Sequence, residues 1–196
     1  MRECLTRGDF PELQHRFPAN GLKVMQSVYP TVSSVAWSTY MSGKNPGGHG
    51  IYGFIDRKPG TFSMMLPNSR NRCGQAVWNR LNRAGIPTIV MNVPVTYPPE
   101  PVSGILVSGF LGVDVEKSVF PRERVEDLKR FGYVIDADTS TATENPIEFF
   151  QQLESIVHRR FDTFEHFLQS EPWRFAHLHV METDRLFHFF WDHAAD

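Results

Sequence analysis

Two short segments of the chain carry residues that could do chemistry together. In the first, Ser33 and Ser34 follow an extended stretch that ends at Pro30, where a helix to about Ser42 would begin. A hydroxyl at a helix N-terminus lies beside backbone N–H groups without partners in the helix, which favours phosphate binding and nucleophilic attack on phosphorus. The local pattern by itself favours a simpler alternative, in which these serines only cap the helix.

The second segment contains Asp184 and His188, which lie four residues apart. A helix places such residues on one face, one turn apart. Carboxylate and imidazole groups are good ligands for Zn²⁺ and also suit Mn²⁺ or iron. A strand is predicted at residues 175–180, and open α/β sheets bind ligands beyond the carboxyl ends of their strands. The alternative is an N-capping aspartate and a histidine packed among the neighbouring phenylalanines.

Three other candidates have weaker support. His177 and His179 alternate along the predicted strand and share one face, as a metal pair or, more simply, as a hydrogen-bonded structural pair. His49 lies in a glycine-rich segment, where we expect a structural hydrogen bond to the backbone. Glu182 either supports the metal candidates or is only a charge at a strand end.

Helix and strand patterns alternate along the chain and predict an α/β fold, with a partly parallel sheet flanked by helices. Strands are predicted at residues 22–29, 87–92, 105–107 and 175–180. Helices are predicted at residues 33–42, 73–84, 146 to about 170, and from 184 onward. Residues 44–50 and 97–101 have the Gly and Pro content of loops.

The long helix predicted from Pro146 has an aromatic and aliphatic face that should lie in the core rather than at a cofactor. Its predicted core residues are Phe149, Phe150, Leu153, Ile156, Val157, Phe161, Phe164 and Leu168. This helix would therefore cover one face of the sheet.

Composition is that of an ordinary globular chain, with 196 residues, 41% hydrophobic residues and 21% charged residues. This is enough for one sizeable core, so residues 1–196 are predicted to form a single domain. The net charge is -2 and no basic cluster occurs, which argues against a nucleic-acid partner. No stretch approaches the roughly 20 apolar residues that span a bilayer, so no membrane partner is expected.

Cys4 and Cys73 are far apart and match no metal or redox spacing, so both are expected to be free thiols in a reducing compartment. The charged N-terminal residues lack the apolar core of an export signal. We therefore expect a cytoplasmic location.

Three ordered blocks of the sequence resemble one known family. The blocks are residues 29–54, YPTVSSVAWSTYMSGKNPGGHGIYGF, residues 92–110, NVPVTYPPEPVSGILVSGF, and residues 182–191, ETDRLFHFFW. They are similar to type I phosphodiesterase/nucleotide pyrophosphatase proteins, which belong to the alkaline phosphatase superfamily. Three blocks in order are more specific than any one of them, and the resemblance extends over most of the chain.

The resemblance implies a metal-dependent phosphoric ester hydrolase that uses two divalent ions, with zinc expected and manganese possible. Ser33 takes the position of the nucleophile, which binds metal and forms a covalent phospho-Ser intermediate. Asp184 and His188 take the positions of ligands to one metal. Ser34 takes a substrate-binding position, in which its N–H would hold phosphoryl oxygens. The substrate would be a small phosphate ester or a nucleotide-like molecule.

The chain also departs from the family pattern, in which a metal-binding Asp precedes the first block and an Asp-His pair and a further His follow the last. The resemblance thus implies an alkaline-phosphatase-like domain truncated at both ends. Asp192 and His193 lie too close to His188 to be that pair. Phe54 stands where eukaryotic members have an Asn that contacts phosphoryl oxygen.

Two alternatives stay open at this point. The first is a non-catalytic or inactive fragment that keeps the fold. The second is another activity of the superfamily, such as a phosphomonoesterase or a phosphomutase. A sulfatase is disfavoured because the residues after Ser33 lack the Pro and Arg of the sulfatase pattern.

Overall fold

The computed structural model describes residues 2–17, 21–112 and 114–191. Its helices are Arg2–Arg7 (α1), Pro11–Arg16 (α2), Ser33–Ser42 (α3), Pro46–His49 (α4), Val77–Arg83 (α5), Val125–Arg130 (α6), Thr141–Glu144 (α7), Pro146–Ser170 (α8) and Glu182–Phe190 (α9). Its strands are Asp56–Arg57 (β1), Met64–Met65 (β2), Thr88–Val93 (β3), Gly104–Ser108 (β4), Val119–Phe120 (β5) and Phe175–Leu178 (β6).

Four strands form the main sheet, in the order β5-β4-β3-β6. The central strand β3 is parallel to both β4 and β6, so that Ile89 stands between Ile105 and Ala176. The short strand β5 is antiparallel to β4 and closes one edge. The predicted α/β class, with a mostly parallel sheet flanked by helices, is confirmed. A separate two-stranded ribbon pairs β1 with β2.

Helices cover both faces of the sheet, which explains why all six residues of β3 are buried. Successive strand residues point to opposite faces. Ile89 and Met91 pack with Phe167 of α8 on one face, whereas Val90 packs with Trp78 of α5 on the other. Helix α3 packs on this second face through Met41, whereas α9 packs against α8.

Helix α8 spans Pro146–Ser170, with Pro146 at its start and the Asn145 side chain accepting a hydrogen bond from Glu148 N. The expected burial of Phe149, Leu153 and Ile156 is confirmed, but Phe150 and Phe161 are half exposed. The buried seam continues instead through Arg160, Thr163 and Phe167. The buried residues follow one another at alternating spacings of four and three, as on one face of a helix. Two of them, Arg160 and Thr163, are polar, and a search for apolar residues therefore does not find them.

The strand predicted at residues 22–29 is wrong. These residues lie outside regular structure, and the side chains of Val24 and Met25 are 93% and 90% exposed. Alternating polarity makes a strand only where a neighbouring strand supplies hydrogen-bond partners, and no strand within the described ranges pairs with this segment.

Other bounds also differ from the sequence-based predictions, since β6 ends at Leu178 and α9 begins at Glu182. Residues 44–50 are not entirely loop, because Pro46–His49 forms one helical turn (α4). The Asn45 side chain caps this turn by accepting a hydrogen bond from Gly48 N at 2.9 Å. The helix predicted at residues 73–84 begins only at Val77.

Cys4 and Cys73 are both free thiols, as expected. None of the helices in the described part of the chain is both long and apolar enough to cross a membrane. Asp192 and His193 lie outside the described residues.

Candidate active site

Ser33 is the first residue of α3, which ends at Gly43 in the left-handed conformation with φ 67°. The residue that precedes the helix is Val32, in extended conformation and without a side-chain cap. The expectation that Ser33 or Ser34 caps the helix is therefore wrong, because a serine caps only from the position before the first turn.

The two neighbouring serines have different surroundings. Ser34 is fully buried, and its hydroxyl donates a hydrogen bond to Gly53 O at 2.7 Å. Ser33 is only half-buried and faces a cleft. Its hydroxyl has no hydrogen-bond partner among the described residues. Ser33 is thus the serine whose hydroxyl is accessible to a ligand.

Asp184 and His188 lie one turn apart on α9, as their spacing predicts. His188 Nε2 is 3.6 Å from Asp184 Oδ2, and the two side chains are 66% and 37% exposed respectively. This separation is longer than a hydrogen bond, so the two side chains do not engage each other.

The structure brings Ser33, Asp184 and His188 into one cleft of about 530 Å³ between the start of α3 and helix α9. The cleft lies beyond the carboxyl ends of β4 and β6, since its walls include residues that follow those strands. Its other lining residues are Thr31, Val32, Phe54, Phe110, Met181, Arg185 and Phe189. Residues from distant parts of the chain thus converge where parallel sheets usually bind ligands.

A divalent metal fits the chemistry of the Asp184 and His188 side chains, but these provide only part of a coordination shell. Structural and catalytic zinc ions usually have three or four protein ligands. Among the described residues, no group of three or more His, Cys, Asp and Glu side chains is placed to hold one ion.

Arg185 places a positive charge in the cleft. Its Nε donates a hydrogen bond to Asp136 Oδ1 at 3.0 Å, and its guanidinium lies 5.0 Å from the centre of the Phe110 ring. Sequence reasoning missed Arg185, although it stands between the two metal candidates. The sequence does not indicate that Asp136 pairs with Arg185, because the two residues are far apart in the chain and only the fold brings them together.

Phe54 also lines the cleft and meets Phe110 edge to face, with ring centres 5.7 Å apart. A phenyl ring donates no hydrogen bond to a phosphoryl oxygen, so Phe54 does not replace the Asn of the eukaryotic relatives. Phe54 and Phe110 instead give this side of the cleft an apolar surface.

His177 and His179 share one face of the sheet, as predicted, and both rings contact Trp37. His179 Nδ1 lies 2.9 Å from Asn92 O, which satisfies one ring nitrogen, whereas the buried Nδ1 of His177 has no partner in the described part of the chain. Burial lowers the pKa of both imidazoles. The prediction of hydrogen-bonded structural histidines is therefore confirmed for His179 but not for His177.

His49 is fully buried and has a structural role, as predicted. Its Nδ1 accepts a hydrogen bond from Ile51 N at 3.1 Å, and its Nε2 lies 2.9 Å from Thr39 Oγ1. Burial and, to a smaller extent, the charge of Arg72 lower the pKa of His49. The neutral ring thereby joins α3 to the segment after α4.

Glu182 is buried and pairs with Arg160, and it is not among the residues that line the cleft. Of the two expectations for Glu182, a free charge at a strand end is wrong. Glu182 is the first residue of α9, and it lies in the same helical turn as Asp184.

The fold and the cleft together define a class of protein, namely α/β proteins with a ligand site at the carboxyl edge of a mostly parallel sheet. A family model described as type I phosphodiesterase / nucleotide pyrophosphatase matches residues 3–195. The chain therefore belongs to this family of phosphoric ester hydrolases, which act on small phosphate-ester or nucleotide substrates. No curated protein and no solved structure matches the chain significantly.

Proposed function

We propose that this chain carries the nucleophile and part of the metal site of a metal-dependent phosphoric ester hydrolase, with Ser33 forming a covalent phospho-Ser intermediate. The observation that carries the proposal is the shared cleft, in which Ser33 at the start of α3 faces the Asp184 and His188 pair on α9.

Ser33 is suited to attack phosphorus by its place in α3. The N–H groups of Val35 and Ala36 donate to Val32 O, whereas the N–H groups of Ser33 and Ser34 belong to the first turn and have no partner within the helix. These N–H groups and the helix dipole attract the charged oxygens of a phosphate. Ser34 would contribute through this backbone N–H, because its hydroxyl is already engaged with Gly53.

Asp184 and His188 would hold one of two divalent ions, zinc or manganese, with the Ser33 oxygen as a further ligand. When bound, such ions lower the pKa of a coordinated hydroxyl and neutralise charge on the phosphate. Arg185 adds a fixed positive charge in the same cleft, held by Asp136. The Ser33 hydroxyl would lose its proton to solvent, and its oxygen would bond to phosphorus as the bond to the leaving oxygen breaks. Water would then cleave the phospho-Ser bond, which restores the hydroxyl and releases the phosphate product.

The cleft suits a small phosphate ester or a nucleotide-like molecule. Its volume of about 530 Å³ lies within the range of small-molecule pockets. Arg185 would attract the phosphate, and the rings of Phe54 and Phe110 would contact apolar or planar parts of the substrate.

The nucleophile assignment predicts that Ser33→Ala lowers kcat by at least about 1,000-fold, because the attacking oxygen is removed. Hydrolysis of bis-p-nitrophenyl phosphate and p-nitrophenyl phosphate, with Zn²⁺ or Mn²⁺ present, would measure this loss. Ser63→Ala, at an exposed position between β1 and β2, is the matched control and should keep the parent rate. Undiminished turnover by Ser33→Ala would refute the assignment. The ratio of rates on the two substrates separates a diesterase from a phosphomonoesterase.

A second candidate is a binding or regulatory chain that keeps the fold without catalysis. It is favoured by one observation, namely that the described residues supply only two metal ligands. Calorimetric titration with Zn²⁺ tests both ideas. Binding that Asp184→Ala abolishes supports the metal site, whereas a parent protein that binds no Zn²⁺ supports the non-catalytic alternative.

A further inference from the structure

A fully buried arginine lies behind the cleft. Arg160 has no exposed surface, and its partner Glu182 is 4% exposed. Arg160 Nε donates to both carboxylate oxygens of Glu182, at 3.1 and 3.2 Å, and Arg160 Nη2 donates to Glu182 Oε1 at 2.5 Å. Arg160 also donates to the carbonyls of Val134 and Ile135, so the buried charge is surrounded by acceptors.

The ion pair belongs to a larger buried network that reaches the ends of two strands. Arg160 Nη1 donates to the hydroxyl of Tyr133 at 2.8 Å, and that hydroxyl donates to Asn92 Oδ1 at 3.3 Å. Asn92, at the end of β3, donates through Nδ2 to His179 O. Burial raises the pKa of Tyr133 to about 12, so its hydroxyl keeps its proton and remains a donor at neutral pH.

Two ion pairs hold the first turn of α9, namely Glu182 with the fully buried Arg160 and Arg185 with the partly exposed Asp136. Glu182 is the buried residue of this helix, whereas its apolar side chains, such as Leu186 and Phe190, are only partly buried. Glu182 lies two residues before Asp184 and six before His188. A shift of Glu182 would therefore move both candidate ligands relative to Ser33 on α3.

The energetics of buried ion pairs also favour a role other than stability. Desolvation of two charges offsets most of their attraction, and well-packed apolar residues of similar volume are often equally stabilising. A guanidinium and a carboxylate differ from an apolar pair in their geometry, because two parallel hydrogen bonds fix both the distance and the relative orientation of the two side chains.

We propose that Arg160 is a positioning residue, whose buried ion pair with Glu182 fixes the first turn of α9 and thereby sets Asp184 and His188 opposite Ser33. This inference rests on the proposed function, because it assumes that Asp184 and His188 bind metal. Arg160 itself does not line the cleft.

The test compares zinc affinity with stability in the full chain. In Arg160→Met/Glu182→Leu an apolar pair replaces the ion pair. We expect a cooperative thermal transition at a lower temperature than in the parent, because the carbonyls of Val134 and Ile135 lose their donor. We also expect Zn²⁺ binding at least about 10-fold weaker, the loss typical when groups supporting metal ligands are removed. Arg159→Met, on the exposed side of the same helix, is the control and should change neither property.

Arg160→Lys keeps the charge but loses the parallel hydrogen bonds, and we expect it to fold and to bind Zn²⁺ more weakly than the parent. If either the double variant or Arg160→Lys binds Zn²⁺ as tightly as the parent, the inference is overturned. The result for Arg160→Lys is decisive even if the double variant fails to fold.

Asp184→Ala separates the two proposals. Zinc binding that does not depend on Asp184 overturns the metal assignment and this inference together, whereas Asp184-dependent binding unaffected at Arg160 overturns this inference alone.

Discussion

Ser34 is fully buried, and its hydroxyl donates to Gly53 O in the segment that also carries Phe54. This hydrogen bond joins the first turn of α3 to one wall of the cleft. Ser33, one residue earlier, has an accessible hydroxyl without such a partner among the described residues. Adjacent residues of the same type are therefore expected to respond differently to the same substitution.

Ser34→Ala should lower the free energy of unfolding by about 1–2 kcal/mol, because Gly53 O loses its partner in a buried environment. Urea denaturation would measure the change. Ser33→Ala is the matched control and should alter stability by less than about 0.5 kcal/mol. A Ser34→Ala protein as stable as the parent would contradict the structural role of this hydroxyl and would favour a hydroxyl free to bind substrate.

At the scale of elements, strands β3 and β4 approach closely at the end nearest the cleft. Gly109 N donates to Val93 O at 3.2 Å, and a Cβ atom at Gly109 would lie only 2.0 Å from Asn92 O. The obstacle is backbone of the central strand, which cannot move aside as a flexible side chain can. Asn92 itself is in the left-handed conformation with φ 64°, a position that asparagine adopts more readily than most residues.

Gly109→Ala should therefore lower the free energy of unfolding by about 3 kcal/mol, since either β3 or β4 must shift. Gly43→Ala at the end of α3 is the comparison. Gly43 has a positive φ, but no atom lies within 4 Å of the point where an added methyl group would sit, so only backbone strain of about 1 kcal/mol is expected. Chemical denaturation of both variants would measure the difference. Equal losses would show that the strands have room to separate.

At the scale of the whole molecule, one buried histidine and two partly buried ones make stability depend on pH. Burial lowers the pKa of His49, His177 and His179 below the ordinary value of 6.5. In the unfolded chain these residues bind protons at a higher pH than in the folded protein. The contribution of these histidines to the free energy of unfolding is therefore fully present above about pH 6.5. It is lost as the pH falls from there through their lower pKa values in the folded protein.

The free energy of unfolding should thus decrease between pH 7.5 and pH 5, and His49→Asn should make that decrease smaller. Protonation of His49 would break the hydrogen bond from Ile51 N to its Nδ1, a change that asparagine cannot undergo. Denaturant titrations at several pH values would measure the slope. His158→Asn, at an exposed site on α8, should leave the slope unchanged. A His49→Asn slope identical to that of the parent would contradict the prediction.

Patterns that are local in the chain were sufficient for part of this fold. Helix α3 ends at Ser42 as predicted, since Gly43 stops it, although it begins at Ser33 rather than after a serine cap. Helix α8 also has its predicted bounds, because Pro146 favours its start and its length permits a clear amphipathic pattern. The buried runs that became β3 and β4, together with the alternation of helices and strands, were enough for the α/β class.

Contacts between distant residues decided the rest. The segment 22–29 has the alternation of a strand, but pairing depends on a neighbour that no local pattern specifies. Arg160 has the sequence context of an exposed charge on α8, and only its packing against Glu182 and Tyr133 reveals a buried network. Spacing alone could place Asp184 and His188 one turn apart. Their meeting with Ser33 in one cleft was decided by the tertiary structure, because it depends on how α3 packs on the sheet and how α9 packs against α8.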